Sequence, residues 1–472
     1  MATPQGDSTS GPEVQTYAIE LADDACTIGP KDAADEDAKL VRKWFYWNIG
    51  CVALAWALGY IVQFIHVSAT VVIAKKLIGN DQLSTIPLGF MSFGTILASF
   101  PLSLLGERVG MRWSFLLASF TGLVGAFVAF SALYIGSFPL LCTALFLQGA
   151  FMAGTQLLRY TAKTLSPPEY VSRALSVIVG GAALGAVVGP NIAKYTEHTI
   201  HSVQYGGAYV VMGGLNALMM IAILLIRFPP RRSEVTIKTP TEGVVASREE
   251  ETRWTIVRRF LRNANSQIAL IAGTVSYMIM VLFMAPVPLS MLDNNYTFQD
   301  QANVLMSHIL GMFAPSLFTG YLIEKVGTMR MIALGFGFLM IGAGTLLGGQ
   351  TLAIYFIGET FVGLGWNFAY VSASALITTL CKTRKESTTI QGLNETVIAI
   401  SAAIFTLASG AIYRGISWNP LLWLGLAFLG CSSLVMIGIW LGASRWDWKD
   451  LDSTTKGVRT IVWRPEKAPS MA

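Results

Sequence analysis

The chain has 472 residues, of which 53% are hydrophobic and only 13% charged, and its net charge is +5. Soluble chains of this length carry roughly a quarter charged residues and divide into two or three domains, which this composition, with a mean hydropathy of +0.55, excludes. The five cysteines (Cys26, Cys51, Cys142, Cys381, Cys431) show no metal or disulfide spacing, and the basic residues flank apolar runs instead of forming one nucleic-acid patch.

Residues 1–43 are polar and acidic, with "DAADEDAK" at 32–39, and lack the basic start and short apolar core of a signal peptide. They read as a disordered cytosolic tail. Twelve apolar runs follow, at about 46–72, 83–105, 113–134, 138–161, 174–195, 207–227, 267–290, 302–323, 331–349, 352–379, 391–413 and 420–443. Each is long enough to cross a bilayer, which takes about 20 residues. Backbone polar groups in hydrocarbon must be satisfied within the segment, so each run is a helix. Six runs fall in 44–227 and six in 266–445, separated by a linker at 228–265 and followed by a tail at 446–472. The expected fold is all-α and integral to the membrane, with twelve transmembrane helices in two pseudo-symmetric six-helix bundles.

Within the linker, "TRWTIVRRFLRN" sets Trp254, Val257 and Leu261 on one helical face and Arg258, Arg259 and Arg262 elsewhere. That is the pattern of a basic amphipathic helix on the inner leaflet, or of a solvated linker helix. With the N-terminus in the cytosol, the inside loops hold Arg108, Arg112, Lys163, Arg173, Lys325, Arg330, Lys382, Arg384 and Lys385, while the outside loops have little beyond Lys75, Lys76, Lys194 and Arg414. The asymmetry predicts that both termini are cytosolic. It also places the glycosylation sequon Asn295-Tyr296-Thr297 outside.

Two turns repeat. "LLGERVGMR" at 104–112 joins spans two and three, and "LIEKVGTMR" at 322–330 joins spans eight and nine. The same charged turn at the same place in two sets of six spans marks an internal duplication. On these residues the chain resembles the major facilitator superfamily over roughly 44–445. The family's signature turn, Gly-x-x-x-Asp-Arg-x-Gly-Arg-Arg, is matched by Glu107, Arg108, Gly110 and Arg112, with Ser103 in place of the leading Gly. The second copy keeps Gly320 and continues with Glu324, Lys325, Gly327 and Arg330. The resemblance implies that Glu107, Arg108, Gly110, Arg112, Glu324, Lys325, Gly327 and Arg330 close the cytosolic side.

Span five carries "GGAALGAVVGPNIAKY", in which Gly185, Gly189 and Pro190 look like the family's Gly-x-x-x-Gly-Pro antiporter motif, although Ala193 and Lys194 replace its trailing Gly-Gly. Close helix packing by small residues is the other reading. A third motif, Arg-x-x-Gln-Gly, is half present, with Gln148 and Gly149 but Leu145 at the arginine position.

In this family spans one, four, seven and ten line the cavity. The matching polar faces here are Gln63, His66 and Thr70; Gln148, Thr155 and Arg159; Tyr277; and Trp366, Asn367 and Tyr370. Ionised groups inside spans cost at least ~2.5 kcal/mol and so mark function. Those groups are Arg159, Glu359 and Glu395. Glu359 lies about 20° around the helix from Tyr370 and is expected to face the cavity. Glu395 is expected to pair with Lys382, Arg384 or Lys385. His66, His308 and Glu359 are the candidates for carrying a proton.

The reading is a secondary transporter of a small organic solute, proton-coupled, with antiport, import and uniport left open. A transporter-like sensor that no longer transports is the rival. No nucleotide loop, metal cluster or nucleophile motif points to an enzyme, a cofactor or a primary pump. The expected partners are a small-molecule substrate, protons and lipid, with a monomer as the working unit.

Overall fold

A computed structural model describes residues 30–79, 83–84, 86–201, 203–229 and 251–444. Twelve of its helices are long and apolar enough to cross a membrane. The first bundle contains α1 (Glu36–Ile78), α2 (Ile86–Arg108), α3 (Met111–Ile135), α4 (Phe138–Leu165), α5 (Pro168–Tyr195) and α6 (Gly206–Leu225). The second contains α7 (Ala264–Asp293), α8 (Gln299–Val326), α9 (Thr328–Leu347), α10 (Leu352–Leu380), α11 (Arg384–Ile416) and α12 (Trp418–Ala443). The spans expected from the sequence agree with these within a few residues at most ends.

The helix that carries α1 begins at Pro30, so residues 30–43 of the expected disordered tail are helical. Arg42 pairs with Glu169 at the start of α5 at 3.0 Å. Residues 1–29, most of the linker and the tail at 445–472 lie outside the described residues.

Without a hydrophobic drive between helices in lipid, small residues let backbones approach and gain dispersion contacts. The duplication repeats this device. A Cβ on Gly149 of α4 would stand 2.1 Å from the Met91 carbonyl oxygen of α2, and one on Gly363 of α10 would stand 2.3 Å from the His308 carbonyl oxygen of α8. Corresponding helix pairs in the two bundles are therefore locked by corresponding glycines.

Since consecutive spans alternate, the turns after even-numbered helices share one face. Both charged turns lie there, and that side is called the charged-turn face below. A linker helix, Arg253–Leu261, also packs on it. Ile256 is buried at 2% exposure, while Trp254, Arg258, Leu261 and Arg262 point outward. The helix is thus docked on the protein through one side, where the sequence suggested only a leaflet-bound or solvated segment. Buried Ile256 and the ion pairs of Arg253 with Glu107 and of Arg259 with Glu386 are the reason.

Candidate functional site

Between the bundles lies a fully buried ion pair. α4 is α-helical to Leu158, tightens into a 3-10 turn at Arg159–Thr161 and resumes as α-helix at Ala162–Leu165, a local overwinding that often marks a hinge. The Arg159 guanidinium is 0% exposed and Glu395, within the continuous helix α11, is 4% exposed. They meet in a fork, with Nη2 to Oε1 at 2.5 Å and Nη1 to Oε2 at 3.2 Å.

Neighbours complete the network. Tyr160 Oη donates to Glu395 Oε1 at 2.7 Å, and Asn394 Nδ2 donates to the same oxygen at 3.1 Å. Arg159 Nη1 also donates to the Gln156 carbonyl at 2.8 Å, and Gln156 Nε2 donates to Tyr60 Oη at 3.0 Å. In a low-dielectric interior such a pair persists only when its remaining hydrogen-bonding capacity is met.

Aromatic rings wrap the pair. The guanidinium lies 4.8 Å from the centre of the Tyr370 ring, and Tyr370 stacks on Trp366 at 4.5 Å. Tyr277 packs on both, and Phe313 links Trp366 to Tyr60 across the bundles. On the side away from the charged turns, a cavity of about 120 Å³ touches the pair and includes Gln63, Thr95, Gln156, Tyr277 and Glu395. Arg159 Nε, Tyr370 Oη and Trp366 Nε1 are buried around the pair, outside that cavity's lining, without a hydrogen-bond partner.

Of the expected cavity residues, Gln63, Arg159, Tyr277, Trp366 and Tyr370 are brought together. The others turn inward within a bundle. His66 Nδ1 faces Thr70 Oγ1 at 3.3 Å and its ring packs toward Tyr209 of α6. Gln148 donates to the Gly122 carbonyl of α3 at 2.9 Å, and Thr155 donates to Phe151 O in its own helix. Asn367 donates to the Met312 carbonyl at 2.6 Å, just before α8 bends at Pro315.

Two charged residues depart from expectation. Glu359 does not face the cavity; it lies against His308 of α8, with Nδ1 to Oε2 at 2.9 Å, inside the second bundle. One face of a helix meets different neighbours at different heights, so eleven residues of matching phase do not guarantee a shared environment. Glu395 does not pair with Lys382, Arg384 or Lys385. It stands eleven residues into α11, about 16 Å from that helix start at 1.5 Å per residue. Tyr160, Asn394, Gln156 and Tyr60 were not singled out from the sequence; Gln156, one turn before Arg159 on the same helix, was the detectable signal.

On the charged-turn face the duplicated turns bridge the bundles by equivalent contacts. Glu107 of α2 accepts from Thr388 Oγ1 of α11 at 2.6 Å and pairs with Arg253 of the linker helix at 2.9 Å. Glu324 of α8 pairs with Arg173 of α5 at 2.5 Å. Ser103 Oγ donates to the Thr388 carbonyl at 2.6 Å. A Cβ on Gly320 would stand 2.6 Å from Arg173 Cα. The family position of that glycine is therefore one of cross-bundle contact. Arg112 donates to the Ile226 carbonyl at 2.5 Å, after the end of α6, whereas Arg108, Lys325 and Arg330 are exposed.

Gly110 and Gly327 repeat one backbone conformation, with φ 120° and 94° and ψ 145° at both. That region is almost closed to residues with a Cβ. Gly110→Ala is expected to destabilise the protein by about 1–3 kcal/mol, read as a lower unfolding midpoint than that of a control at exposed Val109. An unchanged midpoint would mean that the turn relaxes freely.

Gly185 and Gly189 pack α5 on α1. A Cβ there would stand 2.9 Å from the Tyr60 carbonyl carbon and 2.7 Å from Phe64 Cβ, respectively. Close packing accounts for both, beside Pro190 within the same helix.

A family model described as Major Facilitator Superfamily matches residues 45–290. The chain is 26% identical over 388 residues to "Riboflavin transporter RfnT" of Brucella anthropi, covering 82% of this chain and 93% of that protein. It is 26% identical over 360 residues to the uncharacterized MFS-type transporter YddS of Bacillus subtilis, covering 74% and 80%. Among solved structures, the transporter FucP in its outward conformation aligns with a TM-score of 0.66 at 14% identity, over 83% of this chain and 98% of that one. A bacterial homologue of ferroportin in an outward-facing state aligns with a TM-score of 0.63 at 14% identity, over 83% and 99%. At these identities the two structures bear on the fold alone.

Proposed function

The chain belongs to the major facilitator superfamily and is a multi-pass membrane transporter, and from that premise we propose a proton-coupled secondary transporter of a small solute with a planar aromatic ring, working by alternating access. The observation that carries this reading is the buried Arg159–Glu395 pair, which joins the bundles among aromatic rings and beside a cavity walled by Gln63, Gln156, Tyr277 and Glu395. The stacked Tyr370–Trp366 rings and the unpartnered donors suit a flat, acceptor-rich molecule. Riboflavin, named for the Brucella relative, is the first compound to test.

The Lys and Arg asymmetry supports placing the charged-turn face in the cytosol, so the described arrangement is shut toward the cytosol. Glu107 and Glu324 serve as the gate, with Arg173, Arg253 and Thr388 as partners. Arg258→Cys and Asn294→Cys, on a cysteine-free background, are then expected to label from opposite sides of the membrane. Labelling of both from one side would refute the orientation.

Glu395 is the proton carrier in this reading. Protonation removes its charge and loosens its hold on Arg159, which is freed to bind the solute and lets the bundles part. Loss of the proton restores the joint. Gly185 and Gly189 are occupied in packing and favour no direction of exchange. One chain contains the whole site, which supports a monomeric working unit.

The test is uptake into proteoliposomes of riboflavin and a mixed metabolite library, with and without a pH gradient. Gradient-driven accumulation of an aromatic solute, abolished by a protonophore, is the expected result. Movement of no solute under any condition would favour the sensor reading instead.

A further inference from the structure

The helical ladder of α8 is interrupted at Ala314–Pro315, between a piece that ends at Phe313 and a second that runs Ser316–Val326. Pro315 brings no N–H to the Gly311 carbonyl, and its ring crowds the turn before it. Proline alone does not dictate the interruption, because α2 continues through Pro101 as one helix from Ile86 to Arg108. The difference is a side chain on α10. Asn367, 0% exposed, donates through Nδ2 to the Met312 carbonyl at 2.6 Å and to Ser316 Oγ, and accepts from Thr319 Oγ1 at 2.6 Å. One buried amide thus holds residues on both sides of the interruption, with its donors and its carbonyl in use.

The first bundle has no counterpart to this device. In register with Glu107 and Glu324, Pro315 matches Ala98 of α2; in register with Gly149 and Gly363, Asn367 matches Ala153 of α4. The duplicated helices therefore fold without it.

Each piece of α8 reaches the first bundle at a different place. Phe313, 1% exposed, sets its ring edge-on to Trp366 at 5.5 Å and to Tyr60 of α1 at 5.0 Å, among the rings around the Arg159–Glu395 pair. The second piece carries Gly320 and Glu324 to Arg173 of α5 on the charged-turn face. The first piece is fixed to α10 by Gly363, and by Gly311, where a Cβ would stand 2.8 Å from the Thr360 carbonyl oxygen. The second piece is the part that can swing. Its angle decides whether Glu324 meets Arg173 while Phe313 stays on Tyr60.

We propose that Asn367 is a positioning residue for transport: by fixing the bend of α8 it ties the Phe313 ring at the site to the Glu324 contact at the gate, so that neither moves alone. The role in transport rests on the transporter reading above, whereas control of the bend and of the Glu324 contact does not.

Two variants separate positioning from packing. Asn367→Ala removes the amide and leaves Pro315. Pro315→Ala with Asn367→Ala gives the second bundle the residues of the first and restores the missing backbone bond, so its unfolding midpoint should be no lower than that of the single variant. Asn367→Leu, which fills the space without hydrogen bonds, replaces the alanine in either variant that fails to fold. In the full chain in nanodiscs, on a cysteine-free background, spin labels at exposed Asn303 and Phe318 report the bend. The distance distribution should broaden in Asn367→Ala and narrow to a longer distance in the double variant. A parent-like distribution in Asn367→Ala overturns control of the bend by that residue. A straightened α8 cannot keep both of its contacts with the first bundle, and the partly exposed Arg173–Glu324 pair is the weaker. A cysteine at Gln391, which lines a pocket of about 330 Å³ between the bundles on the charged-turn face, should then react with a membrane-impermeant thiol reagent about tenfold faster in the double variant, the effect of one lost charged contact. An unchanged rate overturns the tie between bend and gate. The double variant should also lose gradient-driven uptake while staying folded, and parent-like uptake overturns the role in transport. Because distances and reactivity are read without a solute, failure of this tie and failure of the transporter reading are distinguishable.

Discussion

Arg159→Met is expected to abolish transport and to destabilise the protein, whereas Arg159→Met combined with Glu395→Leu restores the stability and leaves transport absent. The single substitution strands a carboxylate that is 4% exposed in a membrane interior, and breaking a buried pair from one side costs about 3–5 kcal/mol. Replacing both partners with apolar groups removes the stranded charge, and such exchanges are often neutral or stabilising. A pair kept only for stability would then be dispensable. In a transporter whose bundles part and rejoin through this pair, the double variant folds and is inert. Glu395→Gln keeps the shape, removes the carboxylate and should lose gradient-driven accumulation. Glu359→Gln should retain it, since that carboxylate contacts His308 within one bundle. Uptake rates in proteoliposomes, set beside unfolding midpoints, check all four. Concentrative uptake by the double variant would remove the pair from the mechanism.

The second large effect is expected at the gate. Glu107→Ala with Glu324→Ala should leave folded protein in the membrane and reduce transport to background. Each carboxylate holds one cross-bundle contact on the charged-turn face, Glu107 to Thr388 and Glu324 to Arg173. Both sites are partly exposed, at 20% and 23%, so these contacts contribute at most about 1 kcal/mol each to stability. They weigh far more on an equilibrium between two arrangements of similar energy. Cysteines at Ser114 and Gln391, which line the pocket between the bundles, should become more reactive toward a membrane-impermeant thiol reagent in the double variant. Unchanged reactivity together with normal transport would contradict the gate.

The spans, the duplication and the charged turns could be read directly, because apolar length and a repeated turn are local properties. Arg159 was also legible, as a charge that no isolated membrane helix tolerates without a partner. Its partner was not. Glu395 lies 236 positions away, and the nearer cations of the α10–α11 turn offered a local solution that helix length rules out. Glu359 shows the same limit in another form. Its phase relative to Tyr370 was read correctly, but its neighbour depends on how α8 and α10 cross, and glycine contacts such as Gly363 on His308 decide that crossing. Arg253 was taken as part of a linker, since nothing in its own segment announces a contact with Glu107.

The most direct test of alternating access here is a reversible tie across the charged-turn face. A Cβ on Gly392 of α11 would stand 2.8 Å from Ser103 Cβ of α2, close enough for cysteines at both positions to be bridged after a small adjustment. On a cysteine-free background, oxidation of the Ser103→Cys/Gly392→Cys protein should stop uptake, reductant should restore it, and neither single variant should respond. Undiminished uptake by fully cross-linked protein would mean that the bundles need not part on this face, and would contradict the account.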